Sequence, residues 1–204
     1  MYHGERFNGY SHLAGLMLAT AGSALLLAKT VPGNDPAKTA SALVFALSMV
    51  TLYAASTLFH STRGRTKLFW QRVDHCAIYL LIAGSYTPFA LVTLQGAWGW
   101  SLLAAIWGAA LFGIRRELRP GEPPKPSLPL YIGMGWLGVL AAAPLAARLD
   151  GAGLAWLLAG ALLYSAGTVF YRNRTGWRHA HGTWHLFVLA GTASHYVTVA
   201  RFVL

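Results

Sequence analysis

The stretch "HGTWHLFVLAGTASHYVTVARFVL", residues 181–204, is long and apolar enough to cross a lipid bilayer as a single helix. It contains no Asp, Glu or Lys, and its only Arg is Arg201. The hydrocarbon core of a membrane is crossed by roughly 17–25 predominantly apolar residues in a helix. We therefore predict a transmembrane helix over Gly182–Leu204.

Six similar apolar runs precede this one, and only short connections separate them. The chain of 204 residues is 55% hydrophobic and 11% charged, whereas soluble domains carry about 25% charged residues. These features predict an all-α integral membrane protein, a bundle of seven transmembrane helices that forms one domain over residues 1–204. The six earlier spans are predicted at about His12–Ala28, Thr39–His60, Asp74–Leu94, Trp98–Ile114, Leu128–Ala147 and Gly153–Tyr171. Pro88 and Pro144 are expected to interrupt the third and fifth spans.

The net charge of +10 arises from short basic clusters between the apolar runs, a pattern that argues against nucleic-acid binding. Twelve of the 16 Lys and Arg residues fall on one side of the predicted bundle, namely before span one and after spans two, four and six. Cytoplasmic loops of membrane proteins carry an excess of Lys and Arg. The bias predicts a cytoplasmic N-terminus and an external C-terminus.

Four ionisable residues meet at one predicted membrane depth, near the cytoplasmic face. His60 ends span two, Asp74 opens span three, and His181 and His185 open span seven. Ionisable groups in membrane spans are costly, so each is a functional candidate. Three histidines suit Zn²⁺, whose catalytic sites use three protein ligands and leave a fourth position to water.

The spacing of these residues supports a metal site. His181 and His185 are four residues apart, so on a helix they share one face. Gly182 stands where a zinc-protease motif would have a glutamate base. Asp74 is the candidate for that missing role, holding or deprotonating the attacking water. Ser56, one helical turn deeper than the histidine of span two, is a candidate to bind the water or a substrate carbonyl.

Each of these residues also has a purely structural interpretation. Two histidines at a helix start can lie at a membrane interface without binding metal. Asp74 can stabilise a helix N-terminus or pair with Arg72, and Ser56 can serve as a small packing residue between helices. The coincidence of three histidines and an aspartate at one depth favours the metal site.

The other histidines fit less well. His195 lies about 15 Å further along the helix than His185, so we expect it to be a buried hydrogen-bonding residue. His75 and His179 are weak candidate ligands. His12 lies at a suitable depth and is an outside candidate for supporting the site.

Four stretches follow one another along the chain: "YAASTLFHS" (Tyr53–Ser61), "RVDHCAIYLLIAGSYTPF" (Arg72–Phe89), "LYIGMGWLGV" (Leu130–Val139) and "HGTWHLFVLAGTASHY" (His181–Tyr196). Together they closely resemble the bacterial hemolysin III proteins. These belong to the progestin and adipoQ receptor family, which includes the adiponectin receptors, and to a wider superfamily with the alkaline ceramidases. The resemblance covers essentially the whole chain.

The resemblance implies seven transmembrane helices and a zinc ion held near the cytoplasmic side. Carried over by matching motif, the ligands are His60, His181 and His185, and the aspartate and the serine of the family correspond to Asp74 and Ser56. The resemblance also implies ceramidase-like hydrolysis of a lipid amide, with a ceramide-like or fatty-acyl substrate. A role in lipid homeostasis of the bacterial cytoplasmic membrane follows from the same resemblance.

Three functional hypotheses remain at this point. The leading one is a zinc-dependent lipid amide hydrolase. The second is a sensor or receptor without turnover, in which zinc holds two helices together. The third is a pore-forming cytolysin, which the apolar character of all seven spans disfavours, because such a chain has no soluble state. The sequence indicates neither the substrate nor the oligomeric state.

Overall fold

A computed structural model describes all 204 residues and contains eight α-helices and no β-strand. The helices are α1 (Arg6–Thr30), α2 (Pro36–Ser61), α3 (Gly64–Pro88), α4 (Gly96–Glu117), α5 (Leu128–Trp136), α6 (Ala142–Ala146), α7 (Gly151–Arg172) and α8 (Ala180–Thr198). A short turn joins α1 to α2, and α5 and α6 together form one broken span.

Seven helical segments are long and apolar enough to cross a membrane. This confirms the predicted fold class, an all-helical bundle with seven candidate spans. Sidedness stays a prediction from the distribution of basic residues. The spans are Arg6–Gly33, Pro36–Ser61, Gly64–Leu94, Gly96–Glu117, Leu128–Ala146, Gly151–Arg172 and Ala180–Val203.

Two helices begin earlier than the sequence predicted. Helix α3 starts at Gly64, about three turns before Asp74, so the expectation that Asp74 opens this helix was wrong. Helix α1 likewise starts at Arg6 rather than at His12. Hydropathy located the apolar part of each helix, but a helix can continue past the hydrocarbon core where charged side chains reach the interface.

The prolines interrupt their helices as predicted. Helix α3 ends at Pro88 and continues as a wider π-helical segment, Phe89–Leu94. The fifth span is α5, a tighter 3₁₀ segment over Leu137–Ala141, and then the short α6, which contains Pro144. A proline lacks the N–H that an α-helix needs in its interior.

Helix α1 packs against both α2 and α8. Small residues permit this packing. A Cβ on Gly15 of α1 would lie 2.6 Å from the ring of Tyr53 on α2. Tyr53 is fully buried, and its hydroxyl donates a 2.8 Å hydrogen bond to Thr192 of α8. The core therefore fixes α2 and α8 relative to each other.

Gly99 provides a test of the packing of α4. A Cβ at this position would lie 2.1 Å from the carbonyl oxygen of Ala90, so Gly99→Ala should destabilise the protein by about 1–3 kcal/mol. Gly108→Ala on the same helix is the matched control, because no atom lies within 4 Å of its Cβ position. Thermal unfolding in detergent should show a lower Tm only for Gly99→Ala; equal Tm values for the two variants would contradict this packing.

Candidate metal centre

Three histidines converge where α2 ends and α8 begins. His60 lies one residue before the end of α2, and His181 and His185 lie in the first two turns of α8. The ring centroids are 5.1 Å apart for His60 and His181, 4.9 Å for His60 and His185, and 4.7 Å for His181 and His185. One ring nitrogen of each lies within 4.8 Å of the others, so the three can bind one ion.

Hydrogen bonds fix the proton positions on two of these rings. His60 Nδ1 lies 2.6 Å from Glu5 Oε2, and His185 Nδ1 lies 2.9 Å from the carbonyl oxygen of Asn8. Carboxylate and carbonyl oxygens only accept, so both Nδ1 atoms are donors. A neutral imidazole then carries its lone pair on Nε2. Both rings therefore offer Nε2 as a ligand atom.

The unpartnered nitrogens of the cluster match the needs of a bound cation. Nε2 of His60 and Nε2 of His181 are buried without a hydrogen-bond partner, and the His60 and His185 residues are each only 2% exposed. A buried acceptor without a partner costs about 1–3 kcal/mol. A metal ion between the rings would satisfy these lone pairs, so the donor set fits one.

Ser56 and Asp74 line the same cavity as His181 and His185. Ser56 is 1% exposed, and its hydroxyl lies beside the carboxyl group of Asp74. The structural interpretations of Asp74 do not hold, because it lies well inside α3 and because Arg72 instead donates to the carbonyl oxygens of Glu117 and Glu122. The predicted acid–base residue and the predicted serine therefore both face the space beside the histidines.

This cavity has a volume of about 440 Å³ and mostly apolar walls. A second apolar cavity of about 310 Å³ adjoins it, and six residues line both: Ser85, Tyr86, Gly135, Trp136, Ala161 and His195. His195 lies about 15 Å along α8 from His185. An apolar space therefore extends from the histidine cluster deep into the bundle.

Two other histidines behave largely as expected. His195 Nε2 donates a 3.2 Å hydrogen bond to the carbonyl oxygen of Leu157, which confirms its interpretation as a hydrogen-bonding residue. His12 stacks on His185 with ring centroids 3.6 Å apart and planes 11° from parallel. Parallel rings cannot both direct a nitrogen at one ion in their planes, so His12 packs on His185 and is not placed to bind the same ion; its support of the site stays a prediction.

The two weak candidates lie outside the cluster. His75 Nδ1 is 2.7 Å from Glu117 Oε1, and this contact joins α3 to α4. His179 is exposed, precedes α8 and meets the edge of the Phe7 ring.

The sequence analysis missed the contribution of the residues around the start of α1. Glu5, Asn8 and Ser11 all contact histidines of the cluster, with Ser11 Oγ 3.1 Å from His185 Nδ1. The available signal was Glu5 itself, one of only six acidic residues in the chain. Asn8 and Ser11 follow it at intervals of three residues, just before the predicted first span. Burial raises the pKa of Glu5, but hydrogen bonds from Lys67, Asn8 and His60 outweigh it and lower this pKa to about 2.

Gly182 has a structural role that explains the missing glutamate. A Cβ at this position would lie 2.2 Å from Phe7 Cδ1. A residue with a side chain would therefore displace the Phe7 ring, which packs between the start of α1 and α8. The glycine between the two histidines permits the close approach that brings Asn8 and Ser11 to His185.

The family described as "Haemolysin-III related" matches residues 1–196 of the chain. Among curated proteins, Hemolysin-3 of Bacillus cereus is 39% identical, with 98% of this chain and 92% of the relative covered. The Hemolysin-3 homolog of Bacillus subtilis (strain 168) is 38% identical, over 96% of this chain and 92% of the relative. The human monocyte to macrophage differentiation factor is 29% identical, over 96% of this chain and 82% of the relative.

The contact between Gly182 and Phe7 gives a testable prediction. Gly182→Val should lower stability by about 1–3 kcal/mol through overpacking against the ring. Because the ring is the obstacle, the same substitution in a Phe7→Ala background should cost much less, and a double-mutant cycle of thermal unfolding in detergent measures the difference. Additive costs of Gly182→Val and Phe7→Ala would contradict the contact.

Proposed function

Since the chain belongs to the haemolysin-III related family of multi-pass membrane proteins, we propose that it is a zinc-dependent hydrolase of a membrane lipid amide. The observation that carries the proposal is the position of three imidazoles beside an apolar cavity that Asp74 and Ser56 also line. A ligand set, a candidate base and a space for a lipid chain thus lie together.

His60, His181 and His185 would hold the ion through one nitrogen each. Three neutral imidazoles are a common donor set for Zn²⁺ in catalytic sites, which keep the fourth position open. When bound, the ion would act as a Lewis acid and lower the pKa of a water molecule in that position to about 7. The protein supplies the geometry, because Glu5 and Asn8 hold two of the rings with Nε2 unprotonated.

Asp74 is the residue we assign as general base. Its carboxylate faces the cavity next to His181 and His185, where it can accept a proton from the attacking water and later deliver one to the leaving amine. The hydroxyl of Ser56 is buried beside Asp74, where it can donate a hydrogen bond to the carbonyl oxygen of a substrate. General acid–base catalysis of this kind contributes about 100- to 10,000-fold to a rate.

The cavity favours a lipid as the substrate. Its volume of about 440 Å³ lies within the range of roughly 300–1,000 Å³ typical of small-molecule sites, and its mainly apolar walls suit an acyl chain. The adjoining cavity of about 310 Å³ extends that space away from the histidines. We propose a ceramide-like or other fatty-acyl amide, bound from the bacterial inner membrane with the polar group at its cytoplasmic side.

One observation also favours a second candidate function, a metal-stabilised sensor without turnover. The proposed ligands come from two helices, His60 from α2 and His181 with His185 from α8. An ion bound by all three would join the adjacent ends of these helices, and its loss would loosen those ends, while the Tyr53–Thr192 hydrogen bond still holds the helices together in the core. Activity measurements separate this alternative from the hydrolase.

Metal content tests the ligand assignment. We expect purified wild-type protein to contain one zinc ion per chain, and the double variant His181→Ala with His185→Ala to contain less than about a tenth of that, since one imidazole is too few ligands. His179→Ala is the matched control, because this exposed histidine lies outside the cluster. Elemental mass spectrometry gives the count; a wild type without zinc, or a double variant with full zinc, would overturn the assignment.

Activity on lipids tests the role of Asp74. Asp74→Asn should lower fatty-acid release from ceramide-like amides about 100-fold or more, while zinc content and Tm stay close to wild type. Glu122→Gln is the control, because Glu122 is exposed and its only ion-pair contact is with Arg119 at 3.9 Å. Mass spectrometry of a broad lipid panel is the measurement. No release by zinc-loaded wild type would exclude the hydrolase and leave the sensor.

A further inference from the structure

Glu5 lies just before α1 and connects the histidine cluster to α3. Its Oε2 accepts hydrogen bonds from His60 Nδ1 at 2.6 Å and from Asn8 Nδ2 at 2.8 Å. Its Oε1 accepts from Lys67 Nζ at 2.7 Å. Both carboxylate oxygens are therefore occupied, and the side chain is 22% exposed.

The segment that carries Glu5 is itself held in place. Lys67 Nζ also donates a 2.6 Å hydrogen bond to the hydroxyl of Tyr2, and the Arg63 guanidinium lies 4.3 Å from the centre of the Tyr2 ring. On the other side, the Met1 side chain occupies the space next to Gly9. The first five residues thus form an arm that joins the start of α1 to the start of α3.

The next turns of α1 position a second histidine of the cluster. The carbonyl oxygen of Asn8 accepts from His185 Nδ1 at 2.9 Å and from Ser11 Oγ at 2.9 Å. The ring of His12 covers one face of His185. Helix α1 contributes no residue to the cluster of three histidines, yet its first turns contact His185 and the residue before it, Glu5, contacts His60.

We propose that Glu5 is a positioning residue of the metal centre: its carboxylate holds His60 with Nδ1 protonated and Nε2 turned toward His181 and His185. The inference rests on the proposed metal function of these three histidines. Ligand histidines in metal sites commonly donate their second ring N–H to a carboxylate, which fixes the tautomer and the ring orientation, and loss of such a partner typically weakens metal binding about 10- to 100-fold.

A purely structural role for Glu5 predicts a different outcome. In that case the carboxylate serves only the ion pair with Lys67, a contact between partly exposed groups. Such pairs contribute little to stability, about 0–1 kcal/mol. Removing Lys67 would then change zinc affinity as much as removing Glu5 does. A positioning role predicts instead that removing Glu5 has much the larger effect on zinc affinity.

Zinc affinity of the purified full-length protein in detergent tests the inference, by competition with a chromophoric chelator. Glu5→Ala should weaken zinc binding about 10- to 100-fold, and Glu5→Gln should fall between Glu5→Ala and wild type, because the amide oxygen can still accept from His60. Lys67→Met should change affinity less than about fivefold. Glu122→Gln is the matched surface control and should match wild type.

The outcomes separate this inference from the function on which it rests. Wild-type zinc affinity in both Glu5 variants, or equal losses in Lys67→Met and Glu5→Ala, would overturn the positioning role while leaving the metal centre intact. A wild type that binds no zinc would instead overturn the metal centre itself. If Glu5→Ala fails to fold, Glu5→Gln still decides, since its side chain has the same shape as glutamate.

Discussion

The packing at one end of the bundle is arranged around three imidazoles, of which two are buried and the third is partly buried. His60 and His181 each have a buried Nε2 without a hydrogen-bond partner. Inside a membrane there is little water to satisfy such groups, and an unpaired polar atom is costly. A bound cation removes the cost for all three rings at once. The approach of α1 to α8 at Gly182 and the contact of Glu5 with His60 both serve this arrangement.

The spans of the fold were largely predictable because residues inside the hydrocarbon core of a membrane must be mostly apolar. Each crossing of the core therefore produces one apolar run that can be read in the sequence. Span seven, Ala180–Val203, was found within two residues. The start of α3 was not, because Arg65, Lys67 and Arg72 lower the hydropathy of a segment that is still helical. Hydropathy detects the hydrocarbon core, whereas hydrogen bonding defines the helix.

The part of the site that depends on membrane depth and on helical periodicity could be predicted from the sequence. Three histidines at the cytoplasmic ends of two helices could be grouped without knowing how the helices pack. The contact between Glu5 and His60 could not be predicted, because Glu5 precedes the first apolar run and the two residues are 55 positions apart. The meaning of Gly182 was also hidden, since the atom that excludes a side chain there belongs to Phe7 of another helix. Both depend on helix packing, which no local pattern contains.

X-ray absorption at the zinc edge would show whether His60, His181 and His185 together bind one zinc ion, as we propose. The predicted spectrum has a nitrogen shell at about 2.0–2.1 Å with the outer-shell scattering of three imidazole rings. A spectrum with one imidazole or none, or with sulfur at about 2.3 Å from the single cysteine, Cys76, would contradict the account.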